Sequence, residues 1–165
     1  DLLESERLAT GHAALQTEPV DLASLVRDLL ATQFAQANIT LRLDDTLPPM
    51  QADPVRVRLL LRNLIDNALR HSADAAQPPS LECARVVEGQ LRISVRDHGP
   101  GVDDEQLARL AEPFYRADSA RQRSTGGVGL GLYLCRLVAQ AHGGELRIRR
   151  AEPGLEVAMR WSPGA

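Results

Sequence analysis

Apolar residues recur at helical spacing in three stretches of the chain and alternate at strand spacing in five others. Leu22, Leu25, Val26, Leu29, Leu30 and Phe34 form one helical stripe behind Asp21, a good N-cap. Asp53 and Pro54 supply a cap and a proline suited to the first turn, so a second helix is predicted from there to about Ser72. A third runs from Gly129 to about Ala141, packing one face through Leu130, Leu134, Leu137 and Val138. Residues 39–43 alternate as a strand, and Leu47-Pro48-Pro49 reads as a turn. Residues 81–87 and 91–96 read as a hairpin through Glu88-Gly89-Gln90, and residues 145–150 and 155–161 as another around Pro153-Gly154. A short helix is expected within residues 102–110. Residues 111–125 have no clean period and read as a charged loop. Residues 1–8 read as the tail of a helix ending near Gly11, followed by an irregular stretch to Pro19. Helices and antiparallel hairpins in this mixture predict an α+β fold, a two-layer α/β sandwich.

Composition narrows the class. A chain of 165 residues holds one domain with a real core and is too short for two of full size. Its 44% hydrophobic and 25% charged residues are ordinary for a soluble globular protein. The net charge of -3 provides no global basic field for nucleic acid or an anionic membrane. Arginine supplies all nineteen positive charges, and the planar guanidinium fork suits phosphate. Cys83 and Cys135 lie far apart in apolar stretches, which predicts buried free thiols in a reducing compartment. No signal peptide and no apolar run long enough to span a bilayer is present. The chain begins at Asp1 without a methionine and is expected to be a fragment of something longer.

The second predicted helix carries the first chemical signal. On a wheel of about 100° per residue, Val57, Leu61, Leu64, Ile65 and Ala68 gather on one side. Asn63, Asn67 and Arg70 gather on the other, with His71 at the edge. Asparagine costs roughly half a kcal/mol against alanine within a helix. A solvated polar face would account for one such pair; an amide oxygen is also a neutral hard donor able to ligate Mg²⁺ beside phosphates. Asp97 ends a strand and precedes Gly99 and Gly101, which fits a plain turn or a carboxylate accepting from the exocyclic amine of adenine. Gly126, Gly127, Gly129 and Gly131 open the third helix, where free amides and the dipole favour phosphate, though a flexible hinge would also use glycines. The loop is neither a P-loop, lacking Gly-Lys-Ser/Thr, nor a dinucleotide fingerprint, since Leu132 stands where the third glycine should fall. Arg116, Arg121 and Arg123 precede it on a loop able to fold over a triphosphate.

These elements together resemble the catalytic ATP-binding domain of bacterial two-component sensor histidine kinases, of the Bergerat (GHKL) fold shared with gyrase. Residues 63–72, Asn-Leu-Ile-Asp-Asn-Ala-Leu-Arg-His-Ser, match that family's N box. Asp97-His-Gly-Pro-Gly101 matches its first glycine box, Glu112-Pro-Phe114-Tyr-Arg116 its F box, and Gly126-Gly-Val-Gly-Leu-Gly-Leu132 its second glycine box. The resemblance covers about residues 20–162 and implies a mixed, mostly antiparallel sheet packed against three helices, with an ATP lid. It implies ATP and Mg²⁺ as cofactors. Asn67 would be the metal ligand with Asn63 beside it, and Arg70 would reach the phosphates; these three are the implied catalytic residues. Asp97 would read the adenine amine, with Gly99 and Gly101 turning the backbone. Phe114 would anchor the lid, while Arg116 and Arg123 contact the phosphate tail. Gly127, Gly129 and Gly131 would line the triphosphate, and His71, Val128, Leu130 and Leu132 complete the implied nucleotide-binding set.

Gyrase-type ATPases place a glutamate where Asn63 stands, to activate water; an amide cannot be that general base. The resemblance therefore implies transfer of the γ-phosphoryl group to a histidine, for relay to a response-regulator aspartate, rather than hydrolysis. The acceptor in these kinases is a histidine on a preceding helical hairpin, followed by an acidic residue and soon a proline. His12, His71, His98 and His142 do not fit, and His142, near a helix end, reads as a capping or packing residue. Residues 1–18 are expected to be the end of the dimerisation hairpin and a linker, with the catalytic domain in residues 19–165. The isolated chain is then expected to bind Mg-ATP without phosphorylating itself. The implied partners are its own dimerisation domain and a response-regulator receiver domain, with no nucleic acid. The implied location is a soluble cytoplasmic domain of a homodimeric parent anchored in the bacterial inner membrane. An anti-sigma-type serine kinase and a degenerate nucleotide-binding regulatory module are the alternatives.

Overall fold

The computed structural model describes Leu3, Arg7, residues 14–113, Tyr115 and residues 131–162. In chain order the elements are β1 (Glu18–Val20), α1 (Leu22–Gln33), β2 (Thr40–Leu43), β3 (Met50–Ala52), α2 (Pro54–His71), β4 (Ser80–Arg85) and β5 (Leu91–Arg96). They continue with α3 (Asp104–Arg109), α4 (Gly131–Ala141), β6 (Glu145–Arg150) and β7 (Leu155–Trp161). Five strands form one sheet in the order β2-β4-β5-β7-β6, parallel between β2 and β4 and antiparallel elsewhere. The α+β sandwich expected from the sequence is the architecture observed.

Alternation explains the layering. Leu91, Ile93 and Val95 on β5 and Val157, Met159 and Trp161 on β7 point to one face and are buried. The helices α1, α2 and α4 cover that face, and their apolar stripes merge with it into a single core. The side chains of Leu60, Leu61, Leu64 and Ile65 on α2 are almost fully buried. Each contributes about 1.5–3 kcal/mol, against roughly half a kcal/mol lost per asparagine. Packing thus lets α2 carry two poor helix formers on its outer side.

Caps fix the helix starts. Asp21 Oδ1 accepts from Ser24 N–H at 3.1 Å, and Asp53 Oδ1 accepts from Val55 and Arg56 N–H at 3.1 and 3.3 Å. The short α3 begins at a reciprocal box between Asp103 and Gln106. The structure adds one feature that the hydrophobic pattern did not predict: β1 and β3 pair as a separate antiparallel ribbon, Val20 facing Met50. It also trims two strands, starting β2 at Thr40 and ending β4 at Arg85. A single 3₁₀ turn at Val87–Gly89 leads on to β5.

Candidate nucleotide site

The outer stripe of α2 meets two other segments, and glycines make both meetings possible. A Cβ on Gly99 would lie 2.1 Å from the His71 carbonyl oxygen, so the turn after β5 presses directly on the end of α2. His98 N–H donates to Ser72 Oγ at 3.3 Å beside that contact. At the other end of the stripe, a Cβ on Gly131 would come within 3.4 Å of Asn63 Oδ1. The start of α4 therefore lies against Asn63. The N box, the first glycine box and the described end of the second glycine box border one region.

Asn63 is oriented within its own helix. Its Nδ2 donates to the Leu59 carbonyl at 2.8 Å, which leaves Oδ1 as the acceptor turned toward Gly131. Asn67 stands one turn on, half-buried, its side chain making no hydrogen bond to another described residue. Side chains at this spacing are neighbours on a helix surface. Arg70 continues the same side and is exposed, while His71 is half-buried.

Asp97 is buried, and its carboxylate is divided in function. Oδ1 accepts from Gly99 N–H at 3.0 Å and from Leu155 N–H at 3.3 Å. Oδ2 has no partner among the described residues. The β6–β7 turn holds this arrangement: Asp97 N–H donates to the Leu155 carbonyl at 2.9 Å. A Cβ on Gly154, whose φ is +91°, would fall 2.1 Å from the Asp97 carbonyl oxygen. Gly101, at φ +75°, packs on the same turn. A buried carboxylate with one oxygen held by two amides and the other open is an acceptor fixed in space.

Leu132 is buried in the core rather than displayed. Phe114, Arg116, Arg123, Gly127, Val128, Gly129 and Leu130 lie outside the described residues. His142 has a role the sequence reading saw only as capping or packing. Its Nδ1 donates to the Val138 carbonyl at 2.8 Å and its Nε2 accepts from Asp53 N–H at 3.1 Å, so the end of α4 is tied to the cap of α2. Nothing in a local pattern signals a contact across 89 residues. The thiols offer no nucleophile. Burial, with Glu82 adding a little, pushes Cys83 up to about 12, and burial raises Cys135 further.

A family model described as histidine kinase-, DNA gyrase B-, and HSP90-like ATPase matches residues 52–163. The sensor histidine kinase YkoH of Bacillus subtilis is 36% identical over 160 residues, a span covering 94% of this chain and 34% of that protein. The alginate biosynthesis sensor protein KinB of Pseudomonas aeruginosa is 35% identical, covering 93% of this chain and 26% of its own length. The crystal structure of full-length ShkA in complex with AMPPNP superposes with a TM-score of 0.78 at 29% identity, covering 98% of this chain and 34% of ShkA. The chain thus spans about a third or less of the length of these relatives.

Proposed function

The chain belongs to the histidine kinase-, DNA gyrase B- and HSP90-like ATPase family, and from that membership we propose that it is the ATP-binding catalytic domain of a sensor histidine kinase. In this reading it binds Mg-ATP and presents the γ-phosphoryl group to a histidine on a dimerisation domain, for relay to a receiver-domain aspartate. The observation that carries the reading is the division of the Asp97 carboxylate, with Oδ1 held by Gly99 and Leu155 and Oδ2 open to accept from an adenine amine.

Asn67 and Asn63 would hold Mg²⁺, and the donor chemistry fits. The Asn63 amide keeps its oxygen open by donating its NH₂ to Leu59. Among the described residues no cluster of three or more His, Cys, Asp or Glu could hold a metal. Neutral amide donors leave the anionic positions of the octahedron to phosphate. Bound there, the metal would offset charge on the triphosphate. Arg70, Arg116 and Arg123 would contact that tail, and Gly127, Gly129 and Gly131 would line it. An amide at position 63 supports phosphoryl transfer over hydrolysis, because it cannot deprotonate water.

Residues 1–18 would be the end of the dimerisation helix and a linker, with the catalytic domain from residue 19. No helix among the described residues is long and apolar enough to cross a membrane. Membrane anchoring would belong to a longer parent, with this domain on its cytoplasmic side.

Calorimetric titration with a non-hydrolysable ATP analogue, with and without Mg²⁺, tests the site. Affinity should rise with Mg²⁺, and Asn67→Ala should lose that gain while keeping the metal-free affinity. A mutant with an undiminished Mg²⁺ gain would remove Asn67 from the metal site. No binding by either protein would mean a degenerate domain whose function lies in its protein contacts.

A further inference from the structure

The face of the sheet turned away from the helices carries a concavity. Register sets its shape. Thr40, Ser80, Arg96 and Glu156 stand side by side across four strands, and Arg42, Glu82 and Ser94 form the next row. Short hydroxyl side chains at Thr40, Ser80 and Ser94 sit among long ones, and the loop residues Gln77 and Pro78 close one side. The result is a basin of about 470 Å³. Ligand pockets begin at roughly 300 Å³.

The basin is lined by Arg42 and Arg96 and by Glu82 and Glu156, and the sheet face around it is more basic. This face of the sheet bears six arginines and three glutamates, on a protein whose net charge is -3. Its central carboxylate is already taken: Arg149 forks onto both oxygens of Glu156 at 2.8 and 3.1 Å, and Arg92 adds an ion pair. Arg92 also serves Glu82 at 3.6 Å. Arg42 has no ion pair among the described residues. The Arg96 side chain makes one hydrogen bond, to the Pro153 carbonyl at 3.3 Å, its charge also acts on Glu156, and its buried Nε has no partner. His98 Nδ1, at the basin's edge, is likewise buried without a partner. Arg42 and Arg96 flank a hydroxyl floor of Thr40, Ser80 and the buried Ser94, whose Oγ accepts from Arg92 at 3.1 Å.

We propose that this basin binds a small phosphorylated, hydroxyl-bearing molecule, with Arg42 and Arg96 gripping the phosphate and Thr40, Ser80 and Ser94 facing the polar body. A guanidinium matches a phosphate through paired N–H donors. The volume exceeds what phosphate alone would fill, and the hydroxyl floor suits a sugar. The site is separate from the nucleotide site, since it lies on the opposite face of the sheet. The two share a boundary at the Asp97-His98 dipeptide, whose first residue faces the nucleotide region and whose second lines the basin.

The test titrates the 165-residue chain, saturated with a Mg²⁺-bound non-hydrolysable ATP analogue, with ribose 5-phosphate, inorganic phosphate and ribose, read by amide NMR shifts. Ribose 5-phosphate should shift Thr40, Ser80, Ser94, Arg96 and His98 saturably, phosphate should do so more weakly, and ribose alone should not. The Arg42→Gln/Arg96→Gln double variant should weaken ribose 5-phosphate by about tenfold or more, with its spectrum elsewhere unchanged. Arg147→Gln, on the same face outside the basin, should leave the affinity unaltered. No saturable shift at the basin, or equal weakening by Arg147→Gln, would overturn the proposal in favour of a diffuse positive field.

Discussion

Replacing Asp97 by asparagine would separate the two tasks of its carboxylate. An amide oxygen can take the place of Oδ1 and keep the bonds from Gly99 and Leu155 N–H, at 3.0 and 3.3 Å. The amide nitrogen then falls where Oδ2 was, and an open acceptor becomes a donor. Adenine presents an exocyclic amine, also a donor. The lost charge-assisted bond is worth about 1.5–3 kcal/mol, and two donors face to face cost about 1 kcal/mol more. The dissociation constant for an ATP analogue should therefore rise roughly 50- to 1000-fold. A GTP analogue, with a carbonyl at that edge, should be harmed far less, so the preference for adenine should collapse. Stability should fall by only about 1 kcal/mol, or roughly 3 °C in melting temperature. Calorimetry with both analogues and a thermal melt of Asp97→Asn measure all three quantities. Unchanged ATP affinity, or a loss matched by a large drop in melting temperature, would refute the reasoning and leave Asp97 as a turn residue.

Gly99→Ala and Gly89→Ala make a matched pair, because a Cβ meets the His71 carbonyl at 2.1 Å in the first and open space in the second. Gly89→Ala should cost about 1–2 kcal/mol for its positive φ and spare nucleotide affinity. Gly99→Ala should destabilise by about 1–3 kcal/mol through overpacking and also weaken nucleotide binding, as melting and calorimetry would report. His142→Ala removes the acceptor from Asp53 N–H and should cost about 1–3 kcal/mol, read by urea unfolding. For Glu156, burial raises the carboxyl, but the Arg149 hydrogen bond and the Arg92 and Arg149 charges leave it net below its ordinary 4.5. Its stabilisation is then complete above about 4.5 and is lost as pH falls below that value through the depressed native pKa. Glu156→Gln should flatten that part of the acid unfolding curve.

The sequence was most legible where a long amphipathic period met a clear stop. Helix α2 begins at Asp53-Pro54 and ends before Ser72 as its caps indicate, and the last hairpin keeps its predicted bounds. The ribbon of β1 and β3 was not legible, because three residues are too few for a period and Pro19 reads as a break. The parallel pairing of β2 with β4 is equally silent locally, since the partners are separated by the whole of α2. For the site, the residue types pointed to Asn63, Asn67 and Asp97. The orientation of each amide and carboxylate depends on distant atoms: Leu59 is within reach of a helix rule, but Leu155 and Gly154 are not. The basin on the other face was missed for the same reason, as it is made by register across strands.

The dependence of Asp97 on the turn at Gly154 has a consequence for synthesis. A growing chain emerges from the ribosome in order, and domains fold as they appear. Asp97 emerges well before the Leu155 amide that fixes its carboxylate. Until the β6–β7 hairpin has closed, the Asp97 carboxylate has the Gly99 amide but lacks the Leu155 amide that completes its hold. On the proposed reading of Asp97, competence for ATP would come only as β6 and β7 pair, and a nascent chain would not sequester nucleotide before that.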